Sequence, residues 1–263
     1  MRRLLASLAL LLLAACTTPR GVDLATAELV DLTHTYDETS LYWPSSPPAK
    51  FELKELAYGR TPGGYFYASY AICTPEHGGT HLDAPIHFSE GRKTADQIPL
   101  NQLIAPAVVI DVTDKTASNA DYLLTADDVR AWERRHGPIE PGTIVLLRTG
   151  WSKRWPDRLA YFGDASLTSS ANLHFPSYGE DAARLLVTDR RAAALGVDTA
   201  SIDYGQSKNF IVHQIANGAD VPGLENITNL ERVPVRGAWL IALPMKIGKG
   251  SGAPVRIVAA IPR

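Results

Sequence analysis

The chain has 263 residues, of which 45% are hydrophobic and 21% are charged. This is the composition of an ordinary globular domain, so it excludes collagen-like and intrinsically disordered proteins. The formal net charge is -2, and lysine and arginine are dispersed beyond the first three residues. That charge pattern excludes a basic surface for nucleic acid. The length allows one large domain with a sizeable core.

The first residues have the layout of a secretory signal. Two arginines precede an apolar run at 4–15, which ends in small residues before Cys16. The run is too short to cross a bilayer, since a spanning helix needs about 20 apolar residues. The segment around Cys16 resembles the bacterial lipoprotein box. The resemblance implies that residues 1–15 are removed as a signal peptide and that Cys16 is lipidated, with 16–28 as a tether.

The same resemblance predicts where the protein is located. Thr17 follows the lipidated position and favours the outer membrane over the inner one. The sequence therefore predicts an exported, membrane-anchored lipoprotein that faces the periplasm. A conventional cleaved signal with an incidental Cys16 is the alternative. Lipidation of Cys16 would leave Cys73 as the other cysteine, and we expect it to be a small buried residue, with a reactive thiol or soft ligand as the alternative.

Seven short segments have patterns typical of β-strands. Four of them, at 107–112, 143–149, 194–197 and 238–243, are continuously apolar and are predicted to be buried on both faces. The other three predicted strands lie at 29–32, 51–56 and 65–72.

Three helices are predicted along the same stretch of chain. Thr125 caps the first, which has two aspartates in its first turn and stops at Gly137. The other two lie at 181–191 and 209–217. Strands interspersed with helices predict a single α/β domain at 29–263, with a central mixed β-sheet or barrel-like core and flanking helices.

The densest group of chemically active side chains lies between His77 and His87. Two glycines and a proline disfavour a helix there, and in an extended segment His81 and Asp83 face the same side. If the glycines turn the chain back, His77 joins them. The segment then offers two imidazoles and a carboxylate to one Zn²⁺ or Mn²⁺ ion, and His87 is free to act as a base.

This segment, His-x-Gly-Thr-His-x-Asp-Ala-Pro-x-His, resembles the signature of the bacterial cyclase family of kynurenine formamidase-like and isatin hydrolase-like metal-dependent hydrolases. The likeness continues in chain order from Leu29 to the C-terminus. It includes 31–33, 42–44, 148–151, 196–203, His213 and Glu225. One departure is Ser45-Ser46, where many relatives carry Gly-Asp.

The resemblance implies a domain of the swivelling β/α type and assigns roles to named residues. It gives one or two divalent ions, Zn²⁺ or Mn²⁺, five ligands: His77, His81, Asp83, His213 and Glu225. Asp83 would bridge the two ions, and His87 would be the general acid/base that returns a proton to the leaving nitrogen. Without the resemblance, His213 would be interpreted as a core histidine and Glu225 as a surface carboxylate.

The predicted reaction is hydrolysis of a C–N bond in a small-molecule amide or lactam, of the arylformamidase (kynurenine formamidase) or cyclic-amide type, by metal-activated water. Trp43 and Phe88 are predicted to bind the substrate. Five further aromatic residues are candidates for the pocket wall: Tyr42, Tyr65, Phe66, Tyr67 and Trp151.

Several points stay open in the sequence. Arg148 either holds a substrate carboxylate or forms an ion pair. Relatives imply a homo-oligomer, a dimer or a tetramer. A lactone or ester hydrolase, a cyclase, or a non-catalytic periplasmic binding lipoprotein are the alternatives. The run at 248–252 lacks the spacing of a phosphate-binding loop and is predicted to be a flexible loop.

Overall fold

The computed structural model describes residues 21–45 and 47–263. The predicted signal peptide at 1–15, the predicted lipidation site Cys16 and Ser46 lie outside the described residues. Among the described residues, no helix is both long enough and apolar enough to cross a membrane.

Most of the strands belong to one mixed sheet. The strands are β1 Glu28–Asp31, β2 Glu52–Arg60, β3 Phe66–Cys73, β4 His81–Asp83, β5 Ile104–Asp111, β6 Leu123–Leu124, β7 Ile144–Arg148, β8 Ser177–Tyr178, β9 Ala194–Val197, β10 Gly223–Glu225, β11 Arg236–Pro244 and β12 Gly252–Ile261. The main sheet has the order β1-β12-β11-β5-β7-β9-β10-β4, and β4 also pairs with β12. This last pairing closes seven strands into a barrel-like ring, with β1 outside it. The predicted single α/β domain with a barrel-like mixed sheet is confirmed.

The directions of the strands explain how β4 comes to lie among distant segments. The neighbours β5, β7, β9 and β10 are parallel in turn. Strand β4 is antiparallel to both β10 and β12. A segment of three residues is therefore held by hydrogen bonds on both sides.

All seven predicted strands are present. Five of the twelve strands observed in the described part of the chain were not predicted, and β12 is the longest of these five. It begins with Gly252 and contains Pro254, two residue types that usually mark loops, and this obscured the apolar run that follows. The prediction of a flexible loop at 248–252 was incomplete, because Gly252 already belongs to β12 and pairs with Asp83.

Side chains alternate between two cores along the central strands. Val109 and Leu146 belong to the cluster inside the ring. Their neighbours Ile110 and Leu147 belong to a second cluster that includes helical residues such as Val129. Strands β5, β7 and β9 are buried on both faces, as their continuous apolar character predicted. The same prediction for β11 was wrong, because burial alternates along that strand and Leu243 is 44% exposed.

The helices cover the outside of the sheet. They are α1 Leu100–Leu103, α2 Thr113–Thr116, α3 Ala126–His136, α4 Arg158–Phe162, α5 Glu180–Arg184 with a π-turn at Leu185–Asp189, and α6 Ile211–Gly218. Short 3-10 turns occur at Pro85–His87, Ala95–Gln97, Trp151–Arg154 and Leu230–Arg232.

All three predicted helices are present. For α3 the predicted cap is confirmed, since Thr125 Oγ1 accepts from Asp128 N at 3.2 Å and Asp128 Oδ2 accepts from Thr125 N at 3.1 Å. Helix α6 starts two residues later than predicted, because Phe210 adopts a left-handed conformation with φ of 49°.

Strands β2 and β3 form a separate hairpin that pairs with none of the other strands at 21–45 and 47–263. Cross-strand register places Leu53, Tyr58, Phe66, Tyr70 and Ile72 on one face, and their exposed fractions run from 41% to 65%. Cys73 at the end of β3 is exposed as well, so the expectation that it is buried was wrong.

Candidate metal centre and substrate cavity

Two glycines bring His77 back towards β4. Gly78 and Gly79 have φ of 145° and 58°, conformations that favour glycine. A Cβ on Gly79 would also lie 2.5 Å from the ring of Tyr36. The turn places His77 Nδ1 2.6 Å from Asp83 Oδ1. The predicted role of the glycines in joining His77 to this segment is therefore what the structure shows.

The register of the closed sheet places Glu225 beside the histidine motif. Strand β4 presents His81 and Asp83 on one side, and Glu225 on β10 stands directly opposite His81. The two partners of Asp83 in the sheet are both glycines, Gly223 and Gly252. Space therefore opens on both sides of the Asp83 carboxylate, and other side chains can approach it.

His213 enters this space from the first turn of α6. Its Nε2 lies 3.2 Å from Asp83 Oδ2 and 3.3 Å from Glu225 Oε1. The ring of His81 mirrors it, with Nε2 3.3 Å from Asp83 Oδ1 and 3.4 Å from Glu225 Oε2. Two imidazole nitrogens and two carboxylates thus converge, and all four residues are buried.

A second group shares Asp83. Potential ligand atoms of His77, Asp83 and His87 lie within 4.8 Å of one another, as do those of His81, Asp83 and Glu225. The resemblance groups His77 with His81, whereas in the structure His81 contacts Glu225. The five predicted ligands lie together, and their division between one or two ions stays a prediction.

Neighbouring carboxylates raise the pKa of His81 and His213, which we call the two inner histidines, so both are protonated when no metal is bound. Burial alone would lower the pKa of His81, but Asp83 and Glu225 raise it to about 9. Burial is likewise outweighed at His213, where hydrogen bonds to Asp203, Asp83 and Glu225 raise the pKa well above its ordinary value. Burial and the charge of Asp83 raise the pKa of Glu225.

His87 has the opposite electrostatic environment. Burial lowers its pKa to about 4, and nearby His77, His213 and His81 add to this effect against the opposing charge of Asp83. Its ring stacks face to face on His77, with 3.8 Å between ring centres. Because the face carries the packing, the nitrogen-bearing edge remains available to a ligand, and the imidazole is in the neutral form that a base requires.

A cavity of about 300 Å³ opens onto these groups. Its polar end consists of the histidines and carboxylates described above. Ser201 and Asn226 add two neutral polar groups to the lining. Its other walls are apolar: Leu41, Trp43, Phe88, Phe162, Ala200 and Phe210. Among the described residues that line it there is no lysine or arginine. The cavity therefore suits a flat apolar molecule with one polar bond directed at the metal centre.

Two of the seven aromatic residues considered for the pocket line the cavity, and five do not. Trp43 and Phe88, which are predicted to bind the substrate, both line the cavity. The other five aromatic candidates do not line it: Tyr42 and Trp151 are buried, and Tyr65, Phe66 and Tyr67 are exposed on or beside the hairpin. Arg148 forms an ion pair with Asp111 at 2.6 Å, which favours the structural interpretation of this residue.

Several contacts around the site were not found by sequence reasoning. Asp203 accepts a hydrogen bond from His213 Nδ1 at 2.7 Å. Ser251 Oγ lies 2.9 Å from His77 Nε2 and donates to Glu76 Oε2 at 2.5 Å. Phe210 lines the cavity beside Trp43. Asp203, ten positions before His213, was the one contact that the sequence could have indicated, since the other contacts join segments that are distant in the chain.

Comparisons with known proteins identify relatives of the chain in sequence and in fold. A family model described as "Putative cyclase" matches residues 30–204. An isatin hydrolase of Roseibium aggregatum is 33% identical over 222 residues, which are 81% of this chain and 82% of the relative. A kynurenine formamidase of Paracidovorax citrulli is 33% identical over 198 residues, 73% of this chain and 79% of the relative. The crystal structure of an isatin hydrolase bound to the product analogue thioisatinate matches with a TM-score of 0.83 at 31% identity, over 91% of this chain and 94% of that one.

Proposed function

Since the chain belongs to the cyclase family and is related to isatin hydrolase and kynurenine formamidase, we propose that it is a metal-dependent hydrolase that opens a neutral cyclic amide fused to an aromatic ring. One observation carries the choice of substrate: an apolar, cation-free cavity meets a cluster of histidines and carboxylates at one end.

The side chains at that end fit a divalent ion such as Zn²⁺ or Mn²⁺. His81, Asp83, His213 and Glu225 supply imidazole nitrogen and carboxylate oxygen, which both ions accept, and His77 adds a further nitrogen beside Asp83. When bound, the ion would polarise the amide carbonyl and lower the pKa of a water molecule. The ion's identity and the number of ions are not fixed by these ligand types.

The remaining chemistry belongs to the chain itself. Trp43, Phe88 and Phe210 would orient the aromatic part of the substrate in the cavity. His87, which is neutral and lines the same cavity, would take a proton from the attacking water and return it to the ring nitrogen as the C–N bond breaks. The amide is thus held by its apolar part and cleaved at its polar end.

We expect the enzyme to prefer isatin to N-formyl-kynurenine. The latter carries a zwitterionic α-amino acid group, and both of its charges would enter a cavity whose described lining residues include no lysine or arginine. An unpaired buried ion costs several kcal/mol, so kcat/KM for isatin should exceed that for N-formyl-kynurenine by at least about 100-fold, equivalent to about 2.8 kcal/mol. Steady-state assays of both substrates with metal-loaded protein measure the ratio.

Formanilide is the matched control substrate, because it is a neutral aryl formamide without the amino acid group. If it is hydrolysed much faster than N-formyl-kynurenine, charge is the cause. Faster hydrolysis of N-formyl-kynurenine than of either neutral substrate would contradict the proposal and favour the arylformamidase alternative.

Metal binding is expected to release about two protons at pH 7. The pKa of His81 is raised to about 9 and that of His213 is raised well above its ordinary value, so both imidazoles are protonated at pH 7 and must lose a proton to bind metal. The apparent affinity for the divalent ion should therefore rise with pH up to about 9. Where both protons are displaced, the rise is about 100-fold for each pH unit. Calorimetric titration in buffers of different ionisation enthalpy counts the protons. Full metal binding without proton release would contradict the assignment of these histidines.

We also propose that the chain forms a homo-oligomer through the β2–β3 hairpin. Five exposed apolar side chains share one face of this two-stranded sheet, which alone is at best marginally stable in water. A second copy is the partner implied by the family resemblance. Replacing Phe66 and Ile72 by glutamate should convert the oligomer to monomer in light scattering. Leu100→Glu, at an equally exposed site on α1, is the control and should leave the mass unchanged. A monomeric wild-type protein would contradict this proposal.

The predicted export and lipid anchor at Cys16 remain a proposal, supported by the charge and hydropathy pattern of the first residues. Fractionation of expressing bacteria should place the protein in the membrane fraction, and its recovery with soluble cytoplasmic protein would contradict the proposal.

A further inference from the structure

We infer that Asp203 is a positioning residue that holds His213 in the orientation and tautomer needed to bind metal. The Asp203 side chain is 1% exposed and has contacts on both carboxylate oxygens. Its Oδ2 accepts from the His213 backbone N–H at 3.0 Å and from His213 Nδ1 at 2.7 Å. Its Oδ1 accepts from the Val212 N–H at 3.1 Å and from Ser207 Oγ at 3.3 Å. One carboxylate therefore fixes the backbone and the ring of His213 together.

The contact with Nδ1 determines which nitrogen faces the metal centre. Because Nδ1 donates its proton to Asp203, the lone pair of the neutral imidazole lies on Nε2. That atom points at Asp83 and Glu225, at 3.2 and 3.3 Å. A carboxylate behind a ligand histidine fixes its tautomer and raises its strength as a ligand.

The other inner histidine is held by a weaker partner. His81 Nδ1 donates to the backbone carbonyl of Gly79 at 3.0 Å. Both rings thus turn Nε2 inward, but only His213 is backed by a charged group. His213 should consequently be the more sensitive of the two to the loss of its partner.

A helix cap alone would also explain part of this geometry, and the substitution Asp203→Asn separates the two roles. Asparagine caps helices as well as aspartate does, so the first turn of α6 can be retained. Its amide, however, has one oxygen where the carboxylate has two. If that oxygen faces Nδ1, the ring keeps its tautomer but loses its charged partner, and the Val212 N–H loses its acceptor. If nitrogen faces Nδ1, the ring must carry its proton on Nε2, where it would block metal binding.

The experiment compares Asp203→Asn with Ser207→Ala, which removes a neighbour of the same carboxylate but none of its contacts to His213. Competition with a chelator measures Zn²⁺ affinity, and the visible spectrum of Co²⁺-loaded protein reports ligand geometry. Asp203→Asn should weaken binding by about 10–100-fold and alter the spectrum, while Ser207→Ala leaves both unchanged. Metal-free melting curves report folding, and Asp203→Ser, whose shorter side chain removes the carboxylate from Nδ1, serves if the asparagine variant does not fold.

The inference rests on the proposed metal dependence, and the outcomes separate the two. Wild-type protein that binds no metal would contradict the proposed function. If the wild-type protein binds metal and Asp203→Asn binds it with the same affinity and the same Co²⁺ spectrum, the positioning role is overturned and Asp203 is only a helix cap.

Discussion

Replacing His87 by alanine is expected to lower kcat by about 10²–10⁴-fold, the usual contribution of a positioned acid or base. His87 lines the cavity, and burial keeps it neutral by lowering its pKa to about 4. It is therefore able to accept a proton beside the amide carbonyl. The inner ligands His81 and His213 do not depend on it for their contacts with Asp83 and Glu225. Metal content should consequently remain close to that of the wild-type protein.

Turnover of isatin and elemental analysis of the same sample measure the two effects together. His136→Ala, which removes an exposed histidine on α3, is the matched control and should change neither. Loss of metal in proportion to activity would show that His87 is a ligand rather than the base. Unchanged turnover would remove it from the mechanism and favour a protein that binds ligands without cleaving them.

Replacing Asp83 by asparagine should abolish both metal binding and turnover. Its carboxylate contacts three imidazoles, since Oδ1 lies 2.6 Å from His77 Nδ1 and 3.3 Å from His81 Nε2, and Oδ2 lies 3.2 Å from His213 Nε2. The substitution keeps the shape and removes the central negative charge. A bound ion supplies several kcal/mol of transition-state stabilisation, so its loss lowers the rate by roughly 10³-fold or more.

Zn²⁺ binding by Asp83→Asn is compared with that by Asp111→Asn, which makes the same chemical change in an ion pair outside the cavity. Circular dichroism of the metal-free proteins checks that both variants fold. Stoichiometric, tight metal binding by Asp83→Asn would exclude this carboxylate from the centre of the site.

The sequence predicted that His77, His81 and Asp83 lie together because their arrangement depends on residues within one short segment. The glycines between His77 and His81 have a conformational requirement that can be recognised in the chain, and alternation along a strand places His81 and Asp83 on one side. The central strands were found for a similar reason, since continuous apolar runs indicate burial on both faces.

The rest of the site depends on closure of the sheet. Glu225 meets His81 because β10 pairs with β4, and Gly252 gives His77 room because β12 pairs on the other side. No local pattern encodes these pairings. Asp203 and Phe210 were missed for the same reason, because their roles depend on where α6 lies against the ring of strands. The hairpin aromatics were misassigned to the pocket because composition does not show which way a hairpin projects.

The central claim is that bound metal and the apolar cavity together open a neutral cyclic amide. The most direct test is the ring opening of isatin by chelated protein, before and after addition of Zn²⁺ or Mn²⁺. The structure predicts no turnover without metal and recovery of turnover in proportion to the metal bound. Full activity of the metal-free protein, or a metal-loaded protein that leaves isatin intact, would contradict the claim.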